Sequence, residues 1–575
     1  MIQACDKPKH RTIVLKFGGS VLSSEKHLRV AVHEIYRWVR DGWKVVAVIS
    51  AFEGRTEQLL AGATRLSPSS SGHALAGLLA CGERESSALL GLLLDRVGIP
   101  SCVLDPHTLG LECRGKSLES EPVSINIRHI EQAFETGEVV VIPGFFGVDE
   151  NGRASTFGRG GSDLSAVFIA HQLNARCRLI KDVDALYTAD PSSSTEQPRR
   201  YARAGYEDAL RTDGTIIQHR SLRYAQRHGL EIELGRFNGT RPSIIGPGES
   251  LYDNEVDLPK TCRVAIAGLG CVGGGVAELV SFLDDHFEVC GAACQRLTDA
   301  RASLPFPIVT EASTLLDQSP DVLVELIGGT ETARDLVQSS LESSVHVVTG
   351  NKALIASRGP ELKRTALANR VSIRYSASVA GGVPVLEHIT SGGLVSFIGV
   401  LNGTSNFVLD RLNKGLNLQE SIESAQRQGF AEADPERDLG GLDALDKLRV
   451  IAQHAGSDLE HCSTEEGCVT CWAQSDHRDF KPAYQVCSIH GDTAEVIIRP
   501  PKSGEQFLSV HDEWNCAVID HLDGSRSRLR GRGAGRWATS ESVVADLLEL
   551  SRSLTQSTQA RVECKEHRDA ICSKT

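Results

Sequence analysis

Two glycine-rich turns, each directly after a short apolar strand-like run, limit most tightly what this chain can fold into. The first is Lys16-Phe17-Gly18-Gly19-Ser20, after Thr12-Ile13-Val14-Leu15. The second is Gly268-Leu269-Gly270-Cys271-Val272-Gly273-Gly274-Gly275, after Val264-Ala265-Ile266-Ala267. Both put glycines at a strand end, where bare backbone N–H groups can approach phosphate oxygens. Only the first adds a lysine, which suits a phosphate that must be transferred. Only the second has dinucleotide spacing. ATP handling is therefore expected in the first half and a nicotinamide cofactor in the second.

The 575 residues leave room for two large domains or several small ones, each with a full core. A formal net charge of −13, dispersed rather than blocked, argues against general nucleic-acid binding. No apolar stretch approaches a membrane span, and residues 1–11 are polar without a signal core. A soluble cytoplasmic protein with neither nucleic-acid nor membrane partners is expected. The sixteen cysteines are scattered, and Cys81, Cys102, Cys177 and Cys290 fall inside apolar patterns. They read as reduced, partly buried thiols rather than a disulfide framework.

Residues 1–236 alternate β-branched runs (45–50, 139–143, 179–181) with helical stretches such as 76–96, the pattern of an α/β domain. Residues 237–260 collect Gly, Pro, Asn and Ser without periodicity and read as a linker. Alternation resumes over 261–385, with strands at 264–267, 322–327, 345–349 and 371–375. A mixed α+β region follows over 386–555, then a polar tail over 556–575.

Three segments of the first domain carry chemistry. Lys16 with Gly18, Gly19 and Ser20 can cradle phosphates, or be an ordinary strand exit. Gly158-Arg159-Gly160-Gly161-Ser162-Asp163 opens a helix, an anion site with an arginine fork or else a capped glycine turn. Lys181-Asp182-Val183-Asp184-Ala185-Leu186-Tyr187 suits nucleotide contacts and fits a capped loop equally well. In this order and spacing they resemble the amino-acid kinase family, specifically the aspartokinases. Ser50-Ala51, Thr56, Cys81-Gly82-Glu83, Leu104-Asp105, Val141-Ile142-Pro143-Gly144-Phe145 and His219-Arg220 add support.

The resemblance implies an amino-acid-kinase-type α/β sandwich that phosphorylates the β-carboxylate of aspartate from ATP with Mg²⁺. It places Lys16, Gly18, Gly19 and Ser20 on the phosphates and Arg159 on the substrate α-carboxylate. Glu83 would take the ammonium and Thr56 would orient the substrate. Asp163, Asp182 and Tyr187 would line the nucleotide and Mg²⁺ side. Two departures stand out. Ile216 occupies a place where the family often has lysine, and only the linker separates this domain from the next, so the usual regulatory domains are not expected.

The second glycine turn opens a helix after a strand, the setting in which its spacing means a dinucleotide. The next strand runs into Cys294-Gln295-Arg296, with no acid for a ribose 2′-hydroxyl and an arginine for a 2′-phosphate, which favours NADP(H). Asp443 and Lys447, spaced i, i+4, share a helix face; standing alone they would read as a surface ion pair. Thr349-Gly350-Asn351-Lys352, Asn402-Gly403-Thr404-Ser405-Asn406 and Gly429-Phe430-Ala431-Glu432-Ala433-Asp434-Pro435 follow in order. With Asp438, Asp443, Lys447 and Gly531-Arg532-Gly533-Ala534-Gly535, they resemble the homoserine dehydrogenases over residues 262–552.

That resemblance implies a Rossmann-type domain and an α+β substrate domain that reduce aspartate semialdehyde to homoserine. Gly268, Leu269, Gly270, Val272, Gly273, Arg296, Ile327, Gly328, Lys352 and Gly535 would bind the cofactor. Lys447 would serve the carbonyl oxygen and Asp443 would orient it. Lys352 would lie between cofactor and substrate, with Glu432 and Asp438 holding the substrate. Ser376 replaces the glutamate that contributes to a monovalent cation site in relatives, leaving backbone groups of Val379, Gly381 and Val383. The Cys/His-rich stretch 454–490 contains Cys468-Val469-Thr470-Cys471, but no second such pair, so scattered thiols are read there in preference to zinc.

A homo-oligomer joining both activities is thus implied, on the small molecules aspartate, aspartate semialdehyde and homoserine. Two other readings stay open. The kinase half could be a degenerate, non-catalytic scaffold beside an active dehydrogenase, or the chain could join a different amino-acid kinase to another oxidoreductase.

Overall fold

A computed structural model of the chain describes residues 11–67, 72–191, 198–253, 261–296, 298, 301, 303–389, 393–428, 430–431, 434–475 and 482–572, with side chains through residue 555. The chain forms two compact units, Met1–Asp95 with Ile99–Pro259, and Arg96–Gly98 with Lys260–Thr575.

The strands of the first unit, in chain order, are β1 (Thr12–Phe17), β2 (Lys44–Ile49), β3 (Ser101–Val103), β4 (Glu112–Lys116), β5 (Glu119–Ser124), β6 (Val139–Pro143), β7 (Phe146–Val148), β8 (Ala154–Thr156), β9 (Arg176–Lys181), β10 (Arg200–Gly205), β11 (Ile232–Arg236), β12 (Ser243–Gly246) and β13 (Leu251–Asp253). They form a nine-stranded sheet, β13-β10-β12-β11-β9-β1-β2-β6-β3, and a smaller one, β5-β4-β7-β8. The centre of the large sheet is parallel, with Lys16 of β1 opposite Val48 of β2 and Leu179 of β9. Val14, Val46, Val48, Val140, Ile142 and Leu179 are fully buried against Val167 and Phe168 of the helix Gly161–Leu173. A strand covered in this way reads as a continuous apolar run rather than an alternating one. Parallel packing also brings the C-terminal ends of β1, β2 and β9 to one sheet edge, where ligands of open α/β sheets bind.

The expected linker over 237–260 is corrected here: β12 and β13 lie inside it and pair with β10 and β11. Short strands near a sheet edge tolerate the flanking prolines Pro242 and Pro247, so the composition of a linker concealed them.

The second unit contains β14 (Cys262–Ala267), β15 (Phe287–Ala293), β16 (Ile308–Val309), β17 (Val322–Glu325), β18 (His346–Thr349), β19 (Ile373–Arg374), β20 (Leu394–Val400), β21 (His461–Ser463), β22 (Tyr484–His490), β23 (Thr493–Arg499), β24 (Trp514–His521) and β25 (Arg526–Arg532). The first six make an all-parallel sheet, β16-β15-β14-β17-β18-β19. The rest make a second sheet, β21-β23-β22-β20-β24-β25, antiparallel except for β21 with β23. Residues 556–572 are not a tail but the continuation of the helix Arg536–Cys572. That helix is docked at its start, where Ser540 Oγ donates to the Val272 carbonyl at 2.9 Å, and a helix once nucleated propagates through polar residues.

The cysteines among the described residues are free thiols; Cys177, Cys262, Cys290, Cys487 and Cys516 are buried, whereas Cys81 is exposed. Among the described residues no helix is long and apolar enough to cross a membrane.

Candidate active sites

In the first unit the chemistry gathers where β1, β9 and the helix Gly161–Leu173 meet. Gly160, at φ 72°, turns the chain into that helix and sets Asp163 in its first turn, where the helix dipole favours a carboxylate. Lys16 Nζ lies 2.6 Å from one Asp163 oxygen and Lys181 Nζ lies 2.9 Å from the other. Burial pushes the Asp163 carboxyl up, but the two ammonium groups outweigh it and hold the pKa at about 2. Burial pulls Lys16 down to about 8 although Asp163 opposes it, with Lys181 adding to the fall. Two lysines against one aspartate leave a net positive pole beneath glycines. A Cβ on Gly18 would sit 3.3 Å from Lys16 Nζ, and one on Gly19 would sit 3.3 Å from the Ala51 carbonyl. Ser20 Oγ donates to Asp182 at 3.1 Å, tying the glycine turn to the end of β9.

Glu83 enters from the helix Gly72–Val97. One of its oxygens accepts the Ala51 N–H at 3.3 Å, and the other is buried with no hydrogen-bond partner. Burial raises its pKa to about 7. Thr56 stands in the first turn of Arg55–Leu66, and Arg159 is exposed on the loop between Gly158 and Gly160. The Tyr187 hydroxyl donates to Asp184 at 3.1 Å, and Asp184 pairs with Arg200. Ile216 packs against the main core, and Gln218 of the same turn abuts Gly160. Lys181, quoted in its motif but given no role, is the residue that sequence reasoning missed; its position as the last residue of a buried strand was the available signal.

In the second unit the glycine fingerprint has the geometry a dinucleotide needs. Gly268, at φ 104°, leaves no room for a Cβ, which would fall 2.6 Å from the Leu326 carbonyl. A Cβ on Gly273 would fall 1.8 Å from the Gly268 carbonyl, whereas Gly270, capping the helix Cys271–Val280, faces open space. Leu269 is buried, Val272 accepts from Ser540, and Arg296 is exposed beyond the end of β15. Gly328 (φ 73°) and Gly535 (φ 113°) also face open space.

At the far end of β17, Glu325 is fully buried, and burial raises its pKa. It accepts from Ile327 N–H at 2.9 Å and Thr349 Oγ at 2.6 Å, while Asn351 Nδ2 donates to the Gly329 carbonyl at 2.6 Å. These bonds lock together the two loops that precede Lys352, the first residue of the helix Lys352–Ala368. Lys352 pairs with Asp443, and Lys447 Nζ lies 2.7 Å from the other Asp443 oxygen. Asp443 follows Gly441 (φ 81°) in the first turn of Leu442–Ala455. Burial acts to raise its pKa, but the two lysines win and hold it far below the usual carboxylate range. Burial lowers Lys352, and Asp443 more than compensates, so its pKa rises. Asp443 and Lys447 are 2% and 7% exposed, which excludes the surface ion pair.

Asn402, which sequence reasoning quoted without a role, holds this cluster in register. Its Oδ1 caps a helix by accepting Ser405 N–H, and its Nδ2 donates at 2.8 Å to both Asp438 and Asp443. Lys447 Nζ also donates to the Leu401 carbonyl at 2.7 Å. Glu432 lies outside the described residues. Ser376, in place of the family glutamate, donates from both N and Oγ to buried Asp546. Val379 and Val383 are buried, and Gly381 (φ 60°) packs on the Gly533 carbonyl. Among the described residues no group of three or more His, Cys, Asp or Glu is placed to hold a metal ion; His477 lies outside them.

The chain matches the amino acid kinase family over residues 11–234. It matches the homoserine dehydrogenase NAD binding domain over 268–376 and homoserine dehydrogenase over 384–548. It is 31% identical over 321 residues to a homoserine dehydrogenase of Bacillus subtilis, covering 51% of this chain and 74% of that protein. It is also 31% identical over 226 residues to an aspartokinase of Thermus thermophilus, covering 39% of this chain and 56% of that protein. Among solved structures, a homoserine dehydrogenase from Thiobacillus denitrificans aligns with a TM-score of 0.47 at 29% identity, covering 52% of this chain and 74% of that one.

Proposed function

From a chain that belongs to the homoserine dehydrogenase family and also carries an amino acid kinase domain, we propose two reactions on one polypeptide: ATP-dependent phosphorylation of the aspartate β-carboxylate, and interconversion of aspartate semialdehyde and homoserine with NADP(H). The observation that carries the proposal is that each unit builds a lysine–aspartate–lysine cluster around a buried aspartate in the first turn of a helix.

In the kinase unit a carboxylate nucleophile is already ionised at neutral pH, so no general base is required. Catalysis is positioning plus neutralisation of charge on the transferring phosphoryl group. Lys16 and Lys181 supply that positive pole, and Asp163 holds both ammonium groups at fixed positions. Glu83, with one oxygen unpartnered, suits the substrate ammonium; Arg159 and Thr56 take its carboxylate side. Asp182, held by Ser20, would hold the Mg²⁺ that accompanies the nucleotide, and the ion would supply charge neutralisation at the phosphates. Ile216 favours a second reading, a kinase-fold scaffold without turnover, because its side chain is spent on the core and cannot reach a phosphate.

In the dehydrogenase unit the glycine cradle, which a Cβ would fill, fits a dinucleotide pyrophosphate at the start of Cys271–Val280. A nicotinamide cofactor held there would supply or accept the hydride. Arg296, exposed beyond the end of β15, supports NADP(H). An ammonium has three N–H donors; Asp443 and the Leu401 carbonyl engage two at Lys447 and leave one for the substrate oxygen. Lys447 thus donates the proton to the carbonyl oxygen during reduction and receives it back during oxidation. Backbone carbonyls of Val379, Gly381 and Val383 remain the candidates for a monovalent cation. Assays of both half-reactions on the purified chain test the reading: ATP-dependent acyl phosphate formation from aspartate, and nicotinamide reduction by homoserine. Absence of the first with the second intact would favour the scaffold.

A further inference from the structure

We propose that Cys468 and Cys471 form a redox-active dithiol that exchanges with low-molecular-weight disulfides such as oxidised glutathione and closes to an intrachain disulfide. Cys468 caps the short helix Val469–Gln474, and its Sγ accepts the Cys471 N–H at 3.2 Å and lies 3.1 Å from Thr470 Oγ. Cys471 sits three residues on, on the same side of the first turn. That spacing separates the two Cα atoms by about 5–6 Å, within the span a disulfide bridges. Cys468 is half-buried and Cys471 is exposed, so a small disulfide has access to the pair.

The two sulfurs are not equivalent. Burial works against the Cys468 thiolate, but hydrogen bonds shared with the Cys471 thiol, the Thr470 hydroxyl and the two backbone N–H groups lower its pKa. The same thiol–thiol contact raises that of Cys471. By contrast, burial pushes Cys487 and Cys516 up to about 12, which makes them poor nucleophiles. The exchange therefore runs in one direction of attack. The Cys468 thiolate attacks one sulfur of the small disulfide, breaks its S–S bond and expels one thiolate, which takes up a proton. The Cys471 thiol loses its proton, attacks Cys468 Sγ in the mixed disulfide and expels the second small thiol. Two protein thiols are oxidised and one disulfide is reduced to two thiols.

The pair follows Gly467, which packs beside the helix that carries Asp443 and Lys447. The Gly467 carbonyl accepts from Gln485 Nε2 at 2.8 Å and lies 3.3 Å from where a Gly441 Cβ would be, at the start of the helix that carries Asp443 and Lys447. Val469 and Ala473 share a core with Phe407, Leu439 and Phe430.

The test uses the full-length protein in buffers of graded oxidised-to-reduced glutathione, quenched with an alkylating reagent and mapped by peptide mass spectrometry. The expected result is that Cys468 and Cys471 lose alkylation together at one glutathione ratio and that their peptide is lighter by two hydrogens. The Cys471→Ser variant should accumulate glutathione on Cys468, and Cys468→Ser should accumulate far less on Cys471. The proposal is overturned if the two cysteines titrate independently, if both stay alkylated across the range, or if wild-type protein ends as a stable mixed disulfide.

Discussion

The two active sites use the same three residue types and do different work with them. In each, an aspartate sits in the first turn of a helix entered through a left-handed glycine, Gly160 before Asp163 and Gly441 before Asp443, and each aspartate is gripped by two lysines. The surroundings differ. Around Asp163 the lysines come from two strand ends under a glycine turn, and burial pulls Lys16 down to about 8. Such a pole is completed by an incoming anion. Around Asp443 one lysine shares its helix and the other enters from Lys352–Ala368, while Asn402 adds a neutral donor. In the proposed reaction that arrangement holds an ammonium still for proton transfer. A charge triad alone therefore does not specify the chemistry; what stands over it does.

If that contrast is right, the largest single effect belongs to Lys447. Lys447→Ala should lower dehydrogenase kcat by about 10²–10⁴-fold, the usual contribution of a general acid–base group. Because paired groups act as a unit, Asp443→Ala/Lys447→Ala should be little worse. Steady-state kinetics with cofactor saturating would show this, and a near wild-type kcat would reduce the pair to a buried structural bridge.

Asn402 sharpens the comparison, since among the described residues the side-chain grip on Asp163 comes from Lys16 and Lys181. Asn402→Asp keeps the helix cap but places a third carboxylate beside Asp438 and Asp443. Like charges so close force one to hold its proton, so the variant should lose about ten-fold or more in kcat/KM at pH 8 and recover part of it at pH 6. An unchanged pH–rate profile would confine Asn402 to capping.

The smallest effect concerns stability in the kinase unit. Glu83 has its pKa raised from 4.5 to about 7 by burial, so its protonated form is favoured by folding. Its stabilising contribution is complete below pH 4.5 and is lost as pH rises through about 7. Glu83→Gln, permanently neutral, should therefore stabilise this unit at pH 8 by on the order of 1–3 kcal/mol, with little gain near pH 4.5. It should also raise KM for aspartate. Urea unfolding at the two pH values measures the first effect; equal gains at both would show that the carboxyl is not held neutral by burial.

Both glycine turns, the α/β alternation and the i, i+4 lysine–aspartate pair were legible in sequence because each is a local pattern. The role of Asn402 was not. Its helix cap is local, but the bridge from its amide to Asp438 and Asp443 joins residues 36 and 41 positions away. Lys181 stood in a quoted motif, yet only the parallel register of β1 and β9 brings it to the aspartate that Lys16 also holds. The partner of Tyr187 was local but unassigned: its hydroxyl donates to Asp184, which Arg200 also grips. Strands β12 and β13 are too short for periodicity to reveal, and a polar helix such as residues 556–572 carries no apolar stripe to announce it.

Two separate catalytic units are tested most directly by measuring both half-reactions on two single variants, Lys16→Ala and Lys447→Ala. Sites that share no partner normally behave additively. Lys16→Ala should lose acyl phosphate formation by about 10²–10³-fold, the scale of one removed charge-stabilising donor, and keep homoserine oxidation near wild type. Lys447→Ala should show the reverse. Parallel loss of both activities in either variant would contradict the two-site account.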